Sequence, residues 1–494
     1  MRSDIAFEKS GVKQSSNCTS FTIDLSFFCY QRTNADKKKL VALLFFILMY
    51  VNGICASSLR FSPGGDSVHL IILSPGHFHA ALVQKSMYEK MSPVVHVYAP
   101  KSSETNAYFR LIEKYNTRLD SPTSWDEKLY TGVDYLEKML SERSGNVVVL
   151  AGNNQRKTDY IKKSVTAGLN VLSDKPMVID ANGFEVLREA FNIAAKNKVL
   201  LYDIMTERYQ ITNILQKELS LQKDIFGNLE KGTMENPAVI KQSVHHFFKN
   251  VSGSPLIRPA WYYDVKQEGD GLVDVTTHLI DIIQWSCFPD QVLDYKKDIN
   301  MLSAKRWPTS VTADQFRIST NESSWPDYLR KDVKNNVLQV FANGEMNYTI
   351  KGVHAKVSVT WNFEAAEGSN DTHYSLMRGT KANLVIRQGK EQQFKPALYI
   401  EPVKKADHKM ELSLNNFIKT IQKKYPEVAL KKWDKGWKVI IPEVLKVDHE
   451  AHFSMVTRKY LQFLKDNKLP EWEVPNMLAK YYTTTQALQK AMAN

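Results

Sequence analysis

The chain predicts an α/β protein, with a doubly wound parallel sheet towards its amino terminus and a second α+β domain built on a mostly antiparallel sheet. Three observations carry this. Between 66 and 203, short apolar runs alternate with stretches of helical spacing, the pattern of parallel strands joined by crossover helices. Beyond Thr206 the runs lengthen, alternate with period two and gather β-branched and aromatic residues, as in sheets with one covered face. At 494 residues the chain also exceeds what one core ordinarily organises.

Apolar residues make up 43% of the chain, enough burial to offset the entropy of folding and to exclude a disordered protein. The formal charge of +12 raises nucleic acid as a partner. Lysines and arginines are dispersed among acids along the whole length, however, so no nucleic-acid partner is expected. Lys37, Lys38 and Lys39 precede an apolar run from Leu40 to Val51, too short for the ~20 residues of a spanning helix and suited to a signal-peptide core. Gly53, Cys55, Ala56 and Ser57 follow. Cleavage near Ala56 and export to the periplasm are the expectation, with lipid attachment at Cys55 as the alternative and no other membrane contact. Removing residues 1 to 56 should leave a soluble, folded protein; loss of soluble expression on that truncation would contradict this. Cys18 and Cys29 lie upstream and only Cys287 lies in the body, so neither a disulfide framework nor a thiolate metal cluster is expected.

In order, the pattern gives a strand at His69 to Leu73, the turn Ser74-Pro75-Gly76, a helix from about His79 to Lys90 and a strand at Val94 to Tyr98. A polar segment, 101 to 146, acquires helical spacing only late, at Val133, Leu136, Met139 and Leu140. Then come a strand at Val147 to Ala151, a helix marked by Tyr160, Ile161 and Val165 that Gly168 is placed to end in the left-handed conformation, and a strand at Asn170 to Leu172. A helix from Phe184 to Ala195 leads to the strand Val199 to Tyr202. Antiparallel strands are read at Val239 to Phe248, Val337 to Phe341, Met346 to Ile350 and Ala355 to Phe363, and helices return from about Leu412.

Three motifs carry chemistry. Ser74-Pro75-Gly76-His77-Phe78-His79 stands where dinucleotide-binding folds place their glycine-rich turn, with backbone amides and a helix N-terminus facing a pyrophosphate. His77-x-His79 has the form of a metal pair. No carboxylate is near in sequence to complete a set, so the histidines are read as phosphate donors or packing groups, and no metal is expected. After the second strand, Ala99-Pro100-Lys101-Ser102-Ser103 lacks the usual ribose-binding acid and suits a 2′-phosphate better than a diol. Asp174-Lys175-Pro176 follows an inner strand, which aims a lysine into the crevice at the carboxyl edge of the sheet; most such tripeptides are surface turns. The third motif is Gly269-Asp270-Gly271 followed by Asp274, His278, Asp281 and Trp285. On a helix beginning near Asp274 these four fall within about 60° of one another. The stripe reads either as a histidine set between carboxylates for proton transfer or as a solvated helix face.

Taken in order over about 66 to 300, these motifs resemble the Gfo/Idh/MocA family of NAD(P)-dependent oxidoreductases, named for glucose-fructose oxidoreductase and inositol dehydrogenase. The family's usual Glu-Lys-Pro reads Asp174-Lys175-Pro176 here, two of the three phosphate-loop glycines are replaced, and Gly152-Asn153-Asn154 stands for a Thr-Pro-Asn turn. The resemblance implies an N-terminal Rossmann domain at 66–203, a substrate-binding α+β domain with a large, mostly antiparallel sheet at 204–405, and a helical region at 406–494, preceded by an extension at 1–36 and the signal peptide at 37–56. It implies Lys175 as the substrate-orienting or proton-relaying lysine, His278 as general acid/base and Asp274 as a partner of the substrate or of that lysine. Ser74, Gly76, His77, Phe78, His79, Asn153, Asp174 and Lys175 would hold NAD or NADP, and Asp281 and Arg208 a small carbohydrate. The family's open sheet further suggests a homo-oligomer. The expected function is oxidation or reduction at a hydroxyl of a sugar, polyol or glycoside. The alternatives are glycoside cleavage through transient NAD redox and non-catalytic sugar binding.

Overall fold

The amino-terminal alternation folds into a wholly parallel sheet of six strands: β1 (Leu70–Leu73), β2 (Val94–Tyr98), β3 (Asp126–Tyr130), β4 (Val147–Leu150), β5 (Asn170–Ser173) and β6 (Leu201–Asp203). Their order is β3-β2-β1-β4-β5-β6, the doubly wound order that reverses between β1 and β4 and so opens a ligand crevice there. This computed structural model describes residues 67–251 and 254–493, all within one compact unit, Ser58–Asn494. The segment expected to be a signal peptide, with Cys55, lies outside the described residues. Among the described residues no helix is long and apolar enough to cross a membrane.

β1, β4 and β5 are buried along their whole length, as strands covered on both faces must be, hence their unbroken apolar sequences. β3 is the opposite case. Its Asp-Glu-Lys-Leu-Tyr is mostly exposed at the sheet edge, where charge discourages pairing with another chain, and it carries no apolar signature. The helices on this sheet are α1 (His79–Leu82), α2 (Ser103–Thr117), α3 (Tyr135–Glu142), α4 (Lys157–Thr166) and α5 (Ala181–Asn197). The expected helix to Lys90 is thus cut to one turn. The Gln84 carbonyl, which would continue it, accepts from Trp125 Nε1 at 2.6 Å. The buried Gln84 amide is bound by Tyr108 and Glu127. Gly168 does end α4 with φ +79.

The second sheet has ten strands. Nine run in the order β8 (Ile299–Thr312), β9 (Val337–Ile350), β10 (Val353–Glu364), β7 (Val239–Phe248), β11 (Thr372–Arg378), β12 (Ala382–Gln388), β13 (Ala397–Pro402), β15 (Gly436–Ile440) and β14 (Ala429–Trp433); the two-residue strand Val333–Lys334 pairs with β9. Only the β10–β7 pairing is parallel; the others are antiparallel. β10 alternates buried and half-buried residues along most of its length, one face towards a core shared with α6 (Ile211–Ser220), α7 (Thr276–Cys287) and α8 (His408–Ile421). The carboxyl-terminal stretch is therefore not purely helical, because the β14–β15 hairpin extends the large sheet. Its last two helices reach back. α9 (His449–Asp466) adds Phe453, Val456, Tyr460 and Phe463 to the core of the parallel sheet. α10 (Glu473–Ala493) adds Met477 and Tyr481 to that core, and Ala479 and Ala487 to the other.

Candidate functional site

At the switch point the turn after β1 meets the turn after β4. Ser74 is left-handed at φ 49, and the two turns touch so closely that a Cβ on Gly152 would lie 2.5 Å from the Ser74 carbonyl oxygen. The Gly76 and His77 amides both donate to the Ala151 carbonyl, at 3.1 and 3.2 Å. This corrects one expectation, since those two amides are spent on the neighbouring turn instead of facing a pyrophosphate. A crevice of about 230 Å³ remains, lined by Ser74, Gly76, Ser102, Asn153 and Arg156 among others. Its lining offers phosphate-binding groups, with Ser102 at the start of a helix on one side and Arg156 on the other. Asn153 donates to Gln267 Oε1 at 2.7 Å, which ties this edge to the second domain. Asn154 Oδ1 is buried without a partner.

Beside the crevice, β5 delivers Asp174 and Lys175, joined to Pro176 by a cis peptide bond. Lys175 Nζ forms an ion pair with Asp274 across 99 residues of sequence. Burial lowers the Lys175 pKa, but Asp274, Glu268 and Asp174 outweigh it and hold the ammonium above its usual range. Asp174 accepts from the Lys175 amide and pairs with His79 Nδ1, both at 2.9 Å, while the Asp174 carbonyl takes Lys157 Nζ at 3.1 Å. Against burial, the neighbouring His79, Lys157 and His77 hold the Asp174 carboxyl well below the ordinary carboxylate range. Burial, with Asp274, pushes Glu268 well above it. Burial lowers Lys157 to about 8.

His278 lies in the same neighbourhood, on the first turn of α7. Burial, then Lys175 and His449, push its pKa well below that of a free imidazole, so it is neutral near pH 7, and its Nδ1 is buried with no partner. His449, the first residue of α9, has its ring centroid 5.4 Å from that of His79.

The comparisons agree with this architecture. A family model described as "Putative oxidoreductase C terminal domain" matches residues 215–492. The crystal structure of a "putative oxidoreductase" from Parabacteroides merdae is 53% identical, covers 88% of this chain and 100% of its own, and superposes with a TM-score of 0.86. The chain belongs to the Gfo/Idh/MocA oxidoreductase family. Distant structures share its fold. One is a 3-ketoreductase from Actinomadura kijaniata in complex with NADP and TDP-benzene, at 12% identity, TM-score 0.51 and coverage of 85% of this chain and 96% of that one. Another is a levoglucosan dehydrogenase in complex with NADH, at 10% identity, TM-score 0.53 and coverage of 87% and 98%. Among curated proteins no relative matches the chain.

Within this family member the third motif is built differently from the single helical stripe expected. α7 starts at Thr276, after Asp274, and Asp281 points away from the crevice into a buried charge network. Arg208 grips Asp281 with two hydrogen bonds of 2.7 Å and Glu473 with two of 2.8 and 3.1 Å, and Lys480 joins Asp281 to Asp203 at 2.8 and 2.7 Å. Asp281 and Arg208 are withdrawn as substrate contacts, because their charge is already paired where solvent does not reach. The solvated-face reading fails for the same stretch, since most of α7 is buried. The glycines also serve another purpose. Gly269 has φ +113, and a Cβ on Gly271 would lie 2.2 Å from the Ala342 carbonyl oxygen, so the close approach is to β9 and not to a ligand.

Phe78 packs edge-on against His79, and both rings stay at the turn with His77. The argument against a metal set fails in space, where Asp174 supplies the missing carboxylate 95 residues away from His79. Sequence reasoning passed over Lys157, Asn154, Glu268 and His449. Glu268 abuts the glycine-rich turn, a usable signal; His449, far along the chain from that turn, offers none.

Histidines with depressed pKa values make stability depend on pH. Burial depresses His373 and His449 to about 3 and His452 to about 4. The unfolded chain, with histidines near 6.5, therefore binds more protons than the folded one in mild acid. The stability these residues contribute is present above about pH 6.5 and is lost as pH falls towards their folded values. Melting temperature should drop steadily from pH 6.5 down to pH 4; a flat profile over that interval would contradict the depressed pKa values of these rings.

Proposed function

We propose that this chain transfers a hydride between a carbohydrate hydroxyl and NAD or NADP. The observation that carries the reading is the Lys175–Asp274 ion pair, which joins the carboxyl edge of the parallel sheet to the segment leading into His278. When bound in the switch-point crevice, the nicotinamide supplies the hydride acceptor. The chain's own residues do the rest. Neutral His278 takes the hydroxyl proton, and the Lys175 ammonium stabilises the oxyanion as it forms. Asp274 positions Lys175. Arg156 and the serines at the start of α2 offer phosphate-binding groups, a set that suits NADP as well as NAD.

Glu268 favours a second reading. With its carboxyl pushed well above the ordinary carboxylate range by burial and by Asp274, it is the kind of acid that redox-assisted glycoside cleavage requires for its leaving group. One experiment separates the two. Protein purified gently is denatured and its released small molecules identified by mass spectrometry; intact protein is then given sugars and aryl glycosides. Net formation of reduced nicotinamide supports the dehydrogenase, cleavage without it supports the glycosidase, and neither released dinucleotide nor turnover defeats both. The run from Leu40 to Val51 behind three lysines supports export as the setting of this activity.

A further inference from the structure

His77, His79 and Asp174 converge outside the steps assigned to Lys175 and His278. One imidazole nitrogen from each histidine and one carboxylate oxygen lie within 4.8 Å of one another. His79 Nδ1 is 2.9 Å from Asp174 Oδ2, and His77 Nδ1 is 3.9 Å from the same oxygen. Ligands bonded at about 2.0–2.1 Å around a tetrahedral ion sit roughly 3.3 Å apart, between these two values. The two imidazole nitrogens lie within 4.8 Å of each other, so rotation of the two rings would bring the three atoms onto such an ion.

Other features of the cluster suit a cation. His79 and Asp174 are buried, which fixes two of the ligands on a rigid turn and a rigid strand end. The competing donor to His77 Nδ1 is the His79 backbone amide at 3.4 Å, at the outer limit of hydrogen bonding, so little is lost by turning that lone pair to a metal. His77 also lines a cavity of about 650 Å³ that runs past Arg258, Trp261 and Tyr328. An ion held by these three side chains has room for a fourth ligand from that side.

We propose that His77, His79 and Asp174 form a binding site for one divalent first-row transition ion of the zinc type, with a coordination position open to the cavity lined by His77. Two imidazoles and one carboxylate select this class over magnesium or calcium, which take all-oxygen sets. Three protein ligands and an open position are the arrangement of reactive zinc sites, not of closed structural ones. The site shares Asp174 with the surroundings of Lys175, but metal binding is read without turnover, so the two proposals can fail separately.

The test uses the full-length chain without a polyhistidine tag. After dialysis against chelator and then metal-free buffer, Co²⁺ and Zn²⁺ are titrated in, reading visible d–d absorption for cobalt and heat for zinc. One equivalent per chain, intense cobalt bands of low-symmetry coordination, and loss of both in His77→Ala and Asp174→Asn are expected, with at least a tenfold weaker zinc affinity in His77→Ala. His77 is half-buried at the edge of the cavity it lines, and a melting curve like the parent's would show that the fold survives in that variant. His354→Ala, remote from the cluster, should bind as the parent does. A parent protein that shows neither cobalt bands nor zinc heat, or a His77→Ala protein that binds as tightly as the parent, would overturn the proposal and leave the cluster as a buried histidine–carboxylate pair.

Discussion

Replacing His278 with Asn should leave the fold and dinucleotide binding intact and slow the chemical step by roughly 10²- to 10⁴-fold, the usual worth of positioned proton transfer. Asn keeps much of the polar volume but accepts no proton near neutral pH. Lys175→Ala should cost a comparable factor through loss of oxyanion stabilisation. The two losses should not multiply, because both act on one hydroxyl. The measurement is kcat and kcat/KM on whichever sugar the parent turns over, for both single variants and the double. The depressed pKa of His278 adds a pH signature. The base form is lost only as pH falls through the folded pKa, so the acid limb of kcat/KM should lie below the 6.5 of a free imidazole and should vanish in His278→Asn. Full activity in His278→Asn, or a limb above pH 7 in the parent that persists in the variant, would remove His278 from the mechanism.

The parallel half of the fold was readable because β1, β4 and β5 are buried on both faces and leave no room for polar residues. The same logic explains what was missed. β3 is polar because it is an edge, and α2 was hidden in a segment whose buried residues, Thr105, Tyr108, Ile112 and Tyr115, include hydroxyl-bearing side chains that do not read as an apolar stripe. Val133, taken as part of a helical pattern, is fully exposed. At the site, the Lys175 and Asp274 motifs were legible because each sits at a turn with a distinctive tripeptide or glycine pattern. Asp174 as the partner of His79, and His449 as a neighbour of both, depend on long-range packing that no local spacing encodes. Asp281 misled because i, i+3 periodicity from His278 places it near the same face of the helix, while the crevice extends only along the first turn and α10 covers the next.

That covering helix sets up the second large effect. Lys480 is fully buried, with Nζ 2.7 Å from Asp203 on β6 and 2.8 Å from Asp281 on α7, and Arg208 completes the network by pairing Asp281 with Glu473. Tyr481 donates to Asp203 at 2.8 Å. The charges come from the parallel sheet, from the helix that presents His278 and from the last helix of the chain, so one lysine holds together elements from both halves. Lys480→Met keeps most of the side-chain volume and removes the ammonium, leaving Asp203 and Asp281 buried with too little positive charge. Breaking one partner out of a buried ionic set costs about 3–5 kcal/mol, which should appear as a large fall in the denaturant midpoint with the slope unchanged. Lys480→Met combined with Asp203→Asn should recover part of the loss, because it also removes one of the carboxylates left without its counter-ion. Had Arg208 and Asp281 contacted a sugar, Lys480→Met would instead raise KM at nearly unchanged stability, and that outcome would restore them to the substrate site.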